Sequence, residues 1–262
     1  MKLNLNKYYH FTVIMLVFGA ISLPIITTFI YSFSTRWGAS ILPEDLTLKW
    51  FTELWQDPRF LRALLRSIFV SASAIFLSLI LILPLIFFIT YYYPMGQKIM
   101  NVVILLPLTI PAIVSSIGLM QIYSEPPFLL TGTPWILIGC YFTIALPFIY
   151  RSIMNSIESV DITTLVDCGT LFGVSKFYMF LKVIIPSIRS GILSGALLSL
   201  SFLLGEFVFA NILVGNRYET LQVYLYNMNS KSGHFTSAIV TSFFILIVIT
   251  SLIFINLNKK RK

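Results

Sequence analysis

The stretch Asp167-Cys168-Gly169-Thr170-Leu171-Phe172-Gly173 lies within a polar segment, Arg151 to Pro186, that separates two strongly apolar blocks of the chain. Nine residues follow Gly173, and Val183-Ile184-Ile185-Pro186 then leads into the next apolar block. Almost everything around this segment has the composition of membrane-embedded protein. The contrast predicts a membrane protein that holds one helix-compatible segment outside the bilayer, where a partner can contact it. Residues 151–186 are called the polar segment below.

Two short helices joined by a turn are expected within the polar segment. The first helix spans Asp161 to Leu171, and Gly173 supplies a left-handed turn, which glycine adopts without steric cost. Ser175 is the expected N-cap of the second helix, over Lys176–Ile185. Pro186 is expected to end that helix and redirect the chain into the following span. This arrangement predicts a lever connected rigidly to the span beyond it.

The composition of the whole chain predicts an all-α, polytopic membrane protein. It is 57% hydrophobic and 11% charged, with a mean hydropathy of +0.89 over 262 residues. A span needs roughly 20 apolar residues to cross about 30 Å of hydrocarbon. The stretches that meet this need predict six spans, with residues 1–262 as a single transmembrane domain. They are about Phe11–Ser32, Ser67–Tyr92, Ile99–Ile122, Pro134–Tyr150, Ile188–Val214 and Phe235–Leu257.

The distribution of basic residues favours both termini in the cytoplasm. This orientation places eleven Lys and Arg residues inside with three acidic residues, and seven outside with six acidic residues. Lys and Arg in short loops set orientation by remaining on the cytoplasmic side. The polar segment is then a cytoplasmic loop. The net charge of +8 is explained by topology and lipid attraction, and a nucleic-acid partner is not expected.

The outer loop, residues 33–66, contains an amphipathic run. Trp50, Phe51, Leu54 and Trp55 recur at helical spacing. The favoured interpretation is a helix lying on the outer membrane face. The alternative is a docking surface for an external partner.

Aromatic residues and prolines mark the ends and bends of the predicted spans. Tyr91, Tyr92 and Tyr93 close the second span, where headgroup-level anchors are expected. Pro107 and Pro111 lie four residues apart in the third span and are expected to kink it.

The fifth predicted span carries a stripe of small residues and one acid. The stripe consists of Ser187, Gly191, Gly195 and Ser199, and it permits close helix approach, either within the chain or across a dimer axis. Packing within the chain is the favoured alternative. Glu206 and Asn211 lie further along. An acid within a span is costly and marks a pathway by default, but Glu206 could equally bond to a neighbouring helix.

Several classes of function are disfavoured. The two histidines, His10 and His234, lie at opposite ends of the chain, and no Gly-x-x-x-x-Gly-Lys-[Ser/Thr] loop is present. The chain is therefore expected to be no enzyme and to bind no metal and no cofactor. Cys140 lies in a span and Cys168 in the polar segment, so no disulfide is expected between them.

The polar segment resembles the signature loop of permease subunits in type I ABC importers. That pattern reads Glu-Ala-Ala, three residues, Gly, nine residues, a hydrophobic residue, one more, and a hydrophobic-Pro pair. Asp167, Cys168 and Gly169 occupy the opening triplet, and Gly173, Val183, Ile185 and Pro186 fall at the later spacings. The spacing is intact, whereas the triplet keeps only its acidic character and small size. In the family this loop forms the coupling helix that contacts a cytoplasmic ATPase.

The resemblance extends to the branch that serves polyamines, 2-aminoethylphosphonate and ferric iron. It is carried by Gly132-Thr133-Pro134-Trp135, by Ala145–Arg151 and by Leu204-Gly205-Glu206-Phe207. It implies a bacterial inner-membrane permease that receives its solute from an external binding protein. ATP and Mg are expected on a homodimer of ATPase subunits. The resemblance also implies a second permease subunit, with a heterodimer favoured over a homodimer.

The solute is not determined by these residues. A polyamine such as spermidine or putrescine is preferred, because Glu206 and Asn211 would line the path and the carboxylate would compensate a passing cation. The alternatives are 2-aminoethylphosphonate, ferric iron or another small ion. A secondary transporter is the rival class, and it would need an ion-coupling site for which Glu206 is the one candidate acid.

Overall fold

The structure is a computed structural model that describes residues 2–38 and 43–259, with side chains over 8–38 and 43–256. The described residues are mainly helical, and they contain no β-strand beyond an isolated bridge between Ser34 and Leu46. They divide into two compact units. The first combines positions within 1–61 and 225–246, and the second combines positions within 62–224 and 247–262.

Most helices follow one another within a few residues, and longer connections follow α1, α6 and α11. In chain order they are α1 (Lys2–Phe33), α2 (Lys49–Gln56), α3 (Pro58–Tyr92), α4 (Gly96–Val103), α5 (Leu106–Thr109), α6 (Ala112–Tyr123), α7 (Pro134–Ile157), α8 (Ile162–Leu171), α9 (Lys176–Met179), α10 (Ile185–Ser187), α11 (Arg189–Leu204), α12 (Leu221–Met228) and α13 (Gly233–Lys259). Two π-helical turns, Phe180–Ile184 and Ala210–Val214, interrupt this series.

The membrane-length helices agree with the six predicted spans. Within the described residues, four helices are long and apolar enough to cross a bilayer, over Tyr8–Phe33, Pro58–Tyr92, Pro134–Ile157 and Gly233–Asn256. Two bent helix pairs pass the same test when each pair is taken as one span. They correspond to the third and fifth predicted spans. The fourth span was predicted to end at Tyr150, but α7 continues to Ile157.

The third span is broken rather than merely kinked. Residues 96–109 and 112–123 meet at an angle of 83°. Ile110 is extended, with φ −92° and ψ 126°, as expected for a residue that precedes proline. Pro111 then stands at the N-cap of α6, where its missing N–H costs nothing. Where a kink was expected, the chain is therefore broken at Ile110 and Pro111, between α5 and α6.

The fifth span begins and ends at different residues from those predicted. Pro186 lies inside the helical run Ile185–Ser187 instead of ending it, and the 66° bend falls at Ile188. Proline is tolerated there because it occupies the first turn of α10. The predicted span to Val214 is also wrong in detail. Helix α11 ends at Leu204, and the chain is non-helical at Glu206 before the second π-helical turn.

Helices α7 and α11 form the closest helix pair of the second unit. A Cβ on Gly191 would lie 2.6 Å from the Cβ of Ser156, and one on Gly195 would lie 3.0 Å from the Cα of Ile149. Ser199 donates a hydrogen bond to the carbonyl of Ala145 at 3.4 Å. Three members of the small-residue stripe thus contact α7 of the same chain. Ser187, by contrast, is exposed and bonds to the carbonyl of Val183.

Helix α2 packs its apolar face within the first unit. Leu54 is fully buried, the Trp50 indole donates to the carbonyl of Ser34 at 2.9 Å, and the Phe51 ring lies 4.7 Å from that of Phe33. Trp55 remains about half exposed. The end of α1 therefore packs against Trp50 and Phe51 of this face.

Candidate functional site

The first helix of the polar segment begins one residue later than predicted and is capped by Asp161. Asp161 stands at the N-cap of α8, where its carboxylate accepts from the Thr164 N–H at 3.1 Å and from the hydroxyls of Thr164 and Thr163 at 2.6 and 2.7 Å. Hydrogen bonds from Thr164 and then from Thr163 lower the pKa of Asp161 to about 2. The carboxylate therefore stays ionised and keeps bonding the free amides of the first turn.

The C-terminal end of α8 has the geometry of a Schellman motif. Gly173 has φ +77°, its N–H donates to the carbonyl of Thr170 at 2.9 Å, and the Val174 N–H donates to the carbonyl of Gly169 at 3.0 Å. These are the two bonds that satisfy the last carbonyls of a helix when glycine takes the left-handed conformation. The predicted turn at Gly173 is therefore present. No atom lies within 4 Å of a Cβ added there, so its backbone conformation is what demands glycine.

The second helix begins where it was predicted to begin. Ser175 is extended, and its hydroxyl accepts from the Tyr178 N–H at 3.3 Å, which makes it the N-cap of α9. The helical path then passes through the π-helical turn Phe180–Ile184 and on to Ser187. Ile184 is buried, Val183 and Ile185 are half-buried, and Pro186 is exposed. The hydrophobic positions of the motif thus lie in the stem of the hairpin, away from its tip.

The two helices of the polar segment pack against each other through a glycine. Gly169 is buried, and a Cβ there would lie 2.5 Å from Sδ of Met179, which is itself buried. Val166 and Ile162, on the same side of α8, are also buried. The small residue that closes the motif's opening triplet is therefore needed for close approach of α9.

The tip of this hairpin exposes large apolar side chains. Leu171 and Phe172 are 86% and 87% exposed, and Phe177 and Tyr178 also face outward. Cys168 and Asp167 are exposed on the adjacent turn of α8. An exposed apolar group on an otherwise polar loop is typical of a protein–protein contact. Leu171, Phe172, Phe177 and Tyr178 thus form an exposed apolar group on a backbone that is fixed on either side of Gly173. This group is called the knob below.

The polar segment is also tied to the end of α3. The Tyr91 hydroxyl donates a hydrogen bond to Oδ1 of Asp167 at 2.8 Å. Nζ of Lys176 lies 4.7 Å from the centre of the Tyr91 ring and 4.9 Å from that of Tyr92. Sequence reasoning treated these tyrosines as headgroup anchors and missed this contact. Nothing local in the sequence signals it, because 76 positions separate the two bonded residues.

The predicted pathway acid, Glu206, holds the start of a helical turn. Its Oε1 accepts from the Phe209 N–H at 2.9 Å, and its Oε2 accepts from the Ala210 N–H at 3.2 Å. It also lines a cavity of about 610 Å³ whose wall includes Pro107, Pro111, Ile144, Phe202 and Phe209. Asn211 is exposed in the second π-helical turn and is not part of that wall. Of the two predicted pathway residues, Glu206 therefore borders this cavity and Asn211 does not.

Fold and site together describe a multi-pass helical membrane protein with one rigid hairpin between two packed spans. Residues 90–262 match the family model described as "Binding-protein-dependent transport system inner membrane component". Because this match covers well over half of the chain, the chain belongs to that family, the permease subunits of ABC importers. It is an inner-membrane transport component that carries a small solute, and its family is not one of enzymes.

Two relatives show how far the similarity extends. A Salmonella typhi protein described as a 2-aminoethylphosphonate transport system permease is 24% identical over 240 residues, which is 92% of this chain and 89% of that protein. The spermidine/putrescine transport system permease protein of Escherichia coli K12 is 25% identical over 217 residues, 81% of this chain and 79% of that protein. Two of the three solute classes named by the sequence resemblance are thus represented among these relatives.

Solved structures show the same fold. A chain of a bacterial ABC transporter that imports the acidic polysaccharide alginate superposes with a TM-score of 0.71, over 98% of this chain and 96% of the other, at 16% identity. A chain from the same type of transporter, in complex with an alginate pentasaccharide-bound periplasmic protein, superposes with the same TM-score over 97% and 94%. The predicted all-α fold with about six spans is therefore confirmed.

Proposed function

We propose that this chain is a permease subunit of an ATP-driven importer that moves a small cationic solute, with a polyamine as the preferred class. A binding protein delivers the solute to the outer face, and a homodimer of ATPase subunits acts on the cytoplasmic face. A second permease subunit completes the pore, with a heterodimer favoured. ATP and Mg belong to the ATPase, and this chain holds no cofactor of its own.

The knob around Gly173 carries the proposal. Leu171 and Phe172 are almost fully exposed, yet the backbone beneath them is held by two Schellman bonds and by caps at Asp161 and Ser175. A rigid apolar knob suits a groove in a partner, because little conformational entropy is lost when it docks. The ATPase is the partner that this family resemblance implies for that loop.

The mechanism is alternating access driven through the polar segment. Closure of the ATPase dimer moves the knob, and the knob moves the helices on either side of it. Delivery of solute and closure of the ATPase are coupled because both shift the same two-state equilibrium of the helix bundle. Asp167, Gly173 and the flanking loop are assigned to this coupling.

A cationic solute is preferred because Glu206 contributes a carboxylate to the wall of an otherwise largely apolar cavity. A fixed negative charge in a medium of low dielectric attracts a passing ammonium group. Asn211 is assigned a weaker role near the same path. The similarity to a 2-aminoethylphosphonate permease over 92% of the chain favours a second candidate, and that solute also carries an ammonium group.

Reconstitution of the complete importer in proteoliposomes tests the proposal. ATP-dependent uptake of radiolabelled spermidine, putrescine and 2-aminoethylphosphonate is measured with the cognate binding protein present. We expect uptake of a polyamine that stops when the ATPase carries an inactivating substitution. Uptake that persists without the ATPase would establish a secondary transporter instead, and uptake of the phosphonate alone would transfer the assignment to the second candidate.

A further inference from the structure

We propose that Tyr91 is a positioning residue that fastens the polar segment to the end of α3, so that movement of the knob reaches α3 as well as α7 and α11. This inference rests on the proposed function, because it concerns how a push on the polar segment is distributed among the spans. It assigns to Tyr91 a role distinct from that of the residues at the tip, which contact the ATPase.

Tyr91 contacts both helices of the hairpin. Its hydroxyl donates to Oδ1 of Asp167 in α8 at 2.8 Å, and its ring lies 4.7 Å from Nζ of Lys176 in α9. Asp167 and Lys176 stand on opposite sides of the turn at Gly173. A single side chain of α3 therefore bonds to both arms of the hairpin, and the hairpin cannot slide along α3 without breaking one of these contacts.

The contacts at Tyr91 continue into a ring cluster on α3. The Phe87 ring stacks on Tyr91 with centres 6.0 Å apart and also lies 5.2 Å from Phe180 in the first π-helical turn. Tyr92 adds a second ring beneath Lys176, at 4.9 Å. Phe180 is buried. The attachment thus has two parts. Phe87 and Phe180 form an apolar contact near the stem of the hairpin. Near the tip, Tyr91 and Tyr92 contact Asp167 and Lys176, and these polar contacts are called the clasp below.

The contacts that form the clasp are individually weak. The hydroxyl–carboxylate bond is solvent-exposed, so water competes for both of its groups. Cation–π contacts at exposed sites are similarly modest. Bonds of this size bias an equilibrium between two positions of the hairpin without locking either one. The apolar contact between Phe87 and Phe180 is the permanent one.

The Tyr91→Phe variant tests the inference, because it removes the hydroxyl and keeps the ring. Solute moved per ATP hydrolysed is measured in the reconstituted importer, with whichever polyamine or 2-aminoethylphosphonate the wild-type complex transports. We expect this ratio to fall about fivefold, the effect of losing one hydrogen bond of ordinary net strength. The matched control is Tyr93→Phe, since Tyr93 is an exposed neighbour whose ring lies over Gly96. It should leave the ratio unchanged.

A double-mutant cycle separates this role from a general structural one. In an Asp167→Ala background, Tyr91→Phe should cause no further loss, because its bonding partner is already gone. Equal effects of Tyr91→Phe with and without Asp167 would overturn the inference. So would a wild-type ratio in Tyr91→Phe itself, and in both of those cases the proposed function would stand.

A measurement that does not depend on transport keeps the two proposals distinguishable. Hydrogen–deuterium exchange of the purified full complex reports on α8 directly. We expect faster exchange across residues 162–171 in Tyr91→Phe than in Tyr93→Phe, because release of the clasp frees the hairpin. Identical exchange in the two variants would refute the clasp. If the two variants differ in this way while the wild-type complex shows no ATP-driven uptake, the proposed function is refuted and the contact itself is established.

Discussion

The sulfur of Met179 lies 2.5 Å from the position that a Cβ on Gly169 would occupy. Gly169 is the last residue of the motif's opening triplet, and Met179 is the last residue of α9 before the π-helical turn. A side chain at position 169 would therefore have to displace Met179 where the two helices of the polar segment cross. The contact gives a packing reason for a small residue at this point of the triplet.

Replacement of Gly169 by alanine should loosen the hairpin. The added methyl must displace Met179, a flexible side chain, so we expect a loss of about 1–2 kcal/mol. Thermal unfolding of the purified chain in detergent measures the loss. Gly169→Ala should cost less in a Met179→Ala background than in the wild-type chain, because the opposing atoms are already gone. Equal costs of Gly169→Ala in the two backgrounds would show that the clash is not the cause.

Replacement of Gly173 by valine should uncouple transport from ATP hydrolysis. The backbone there has φ +77°, a conformation that costs an L-residue roughly 1–2 kcal/mol and a β-branched one more. Since no neighbouring atom lies within 4 Å of the added Cβ, Gly173→Asn should retain most of the coupling. The measurement is the amount of solute moved per ATP hydrolysed in proteoliposomes that contain each variant. Normal ATP-driven uptake in Gly173→Val would contradict the requirement for this turn.

Replacement of Gly191 by alanine should damage the α7–α11 pair. Its Cβ would fall 2.7 Å from the backbone carbonyl oxygen of Ser152, which cannot rotate away. We expect a loss of about 2–3 kcal/mol, read from thermal unfolding or from the amount of folded protein in the membrane. Gly139→Ala is the control in the same helix pair, because nothing lies within 4 Å of a Cβ there. Equal stability of the two variants would disprove the packing argument.

Replacement of Glu206 by glutamine should reduce uptake of a cationic solute more than assembly of the importer. The amide keeps one acceptor oxygen for the amides of Phe209 and Ala210 but removes the charge. A reduction of roughly tenfold in uptake would correspond to about 1.4 kcal/mol of lost attraction. Glu206→Ala loses both acceptors and should also lower the amount of assembled complex. Unchanged transport kinetics in Glu206→Gln would restrict this residue to capping its own helical turn.

Features that depend on local chemistry were predictable from the sequence. Apolar length located the spans, and single residues located the turn at Gly173 and the N-cap at Ser175, because one side chain or one φ angle decides each of them. The bend at Ile188 was placed two residues early. A proline in the first turn of a helix is tolerated, and the sequence does not show which turn is the first.

Features that depend on distant parts of the chain were not predictable. The bond between Tyr91 and Asp167 joins residues 76 positions apart, and a run of tyrosines at the end of a span is equally typical of headgroup anchors. The capping role of Glu206 follows from the end of α11 at Leu204, which the apolar residues on both sides of Glu206 did not indicate. A continuous apolar stretch indicates what is buried in lipid but does not reveal where the backbone leaves the helix.

The glycine contacts between α7 and α11 have a mechanical consequence for the hairpin that joins them. The polar segment leaves α7 and enters α11, and these two helices lie so close at Gly191 and Gly195 that no side chain separates their backbones. A load applied at Phe172 cannot spread the two attachment points apart. It would move α7 and α11 together, because both ends of the polar segment join the same packed helix pair.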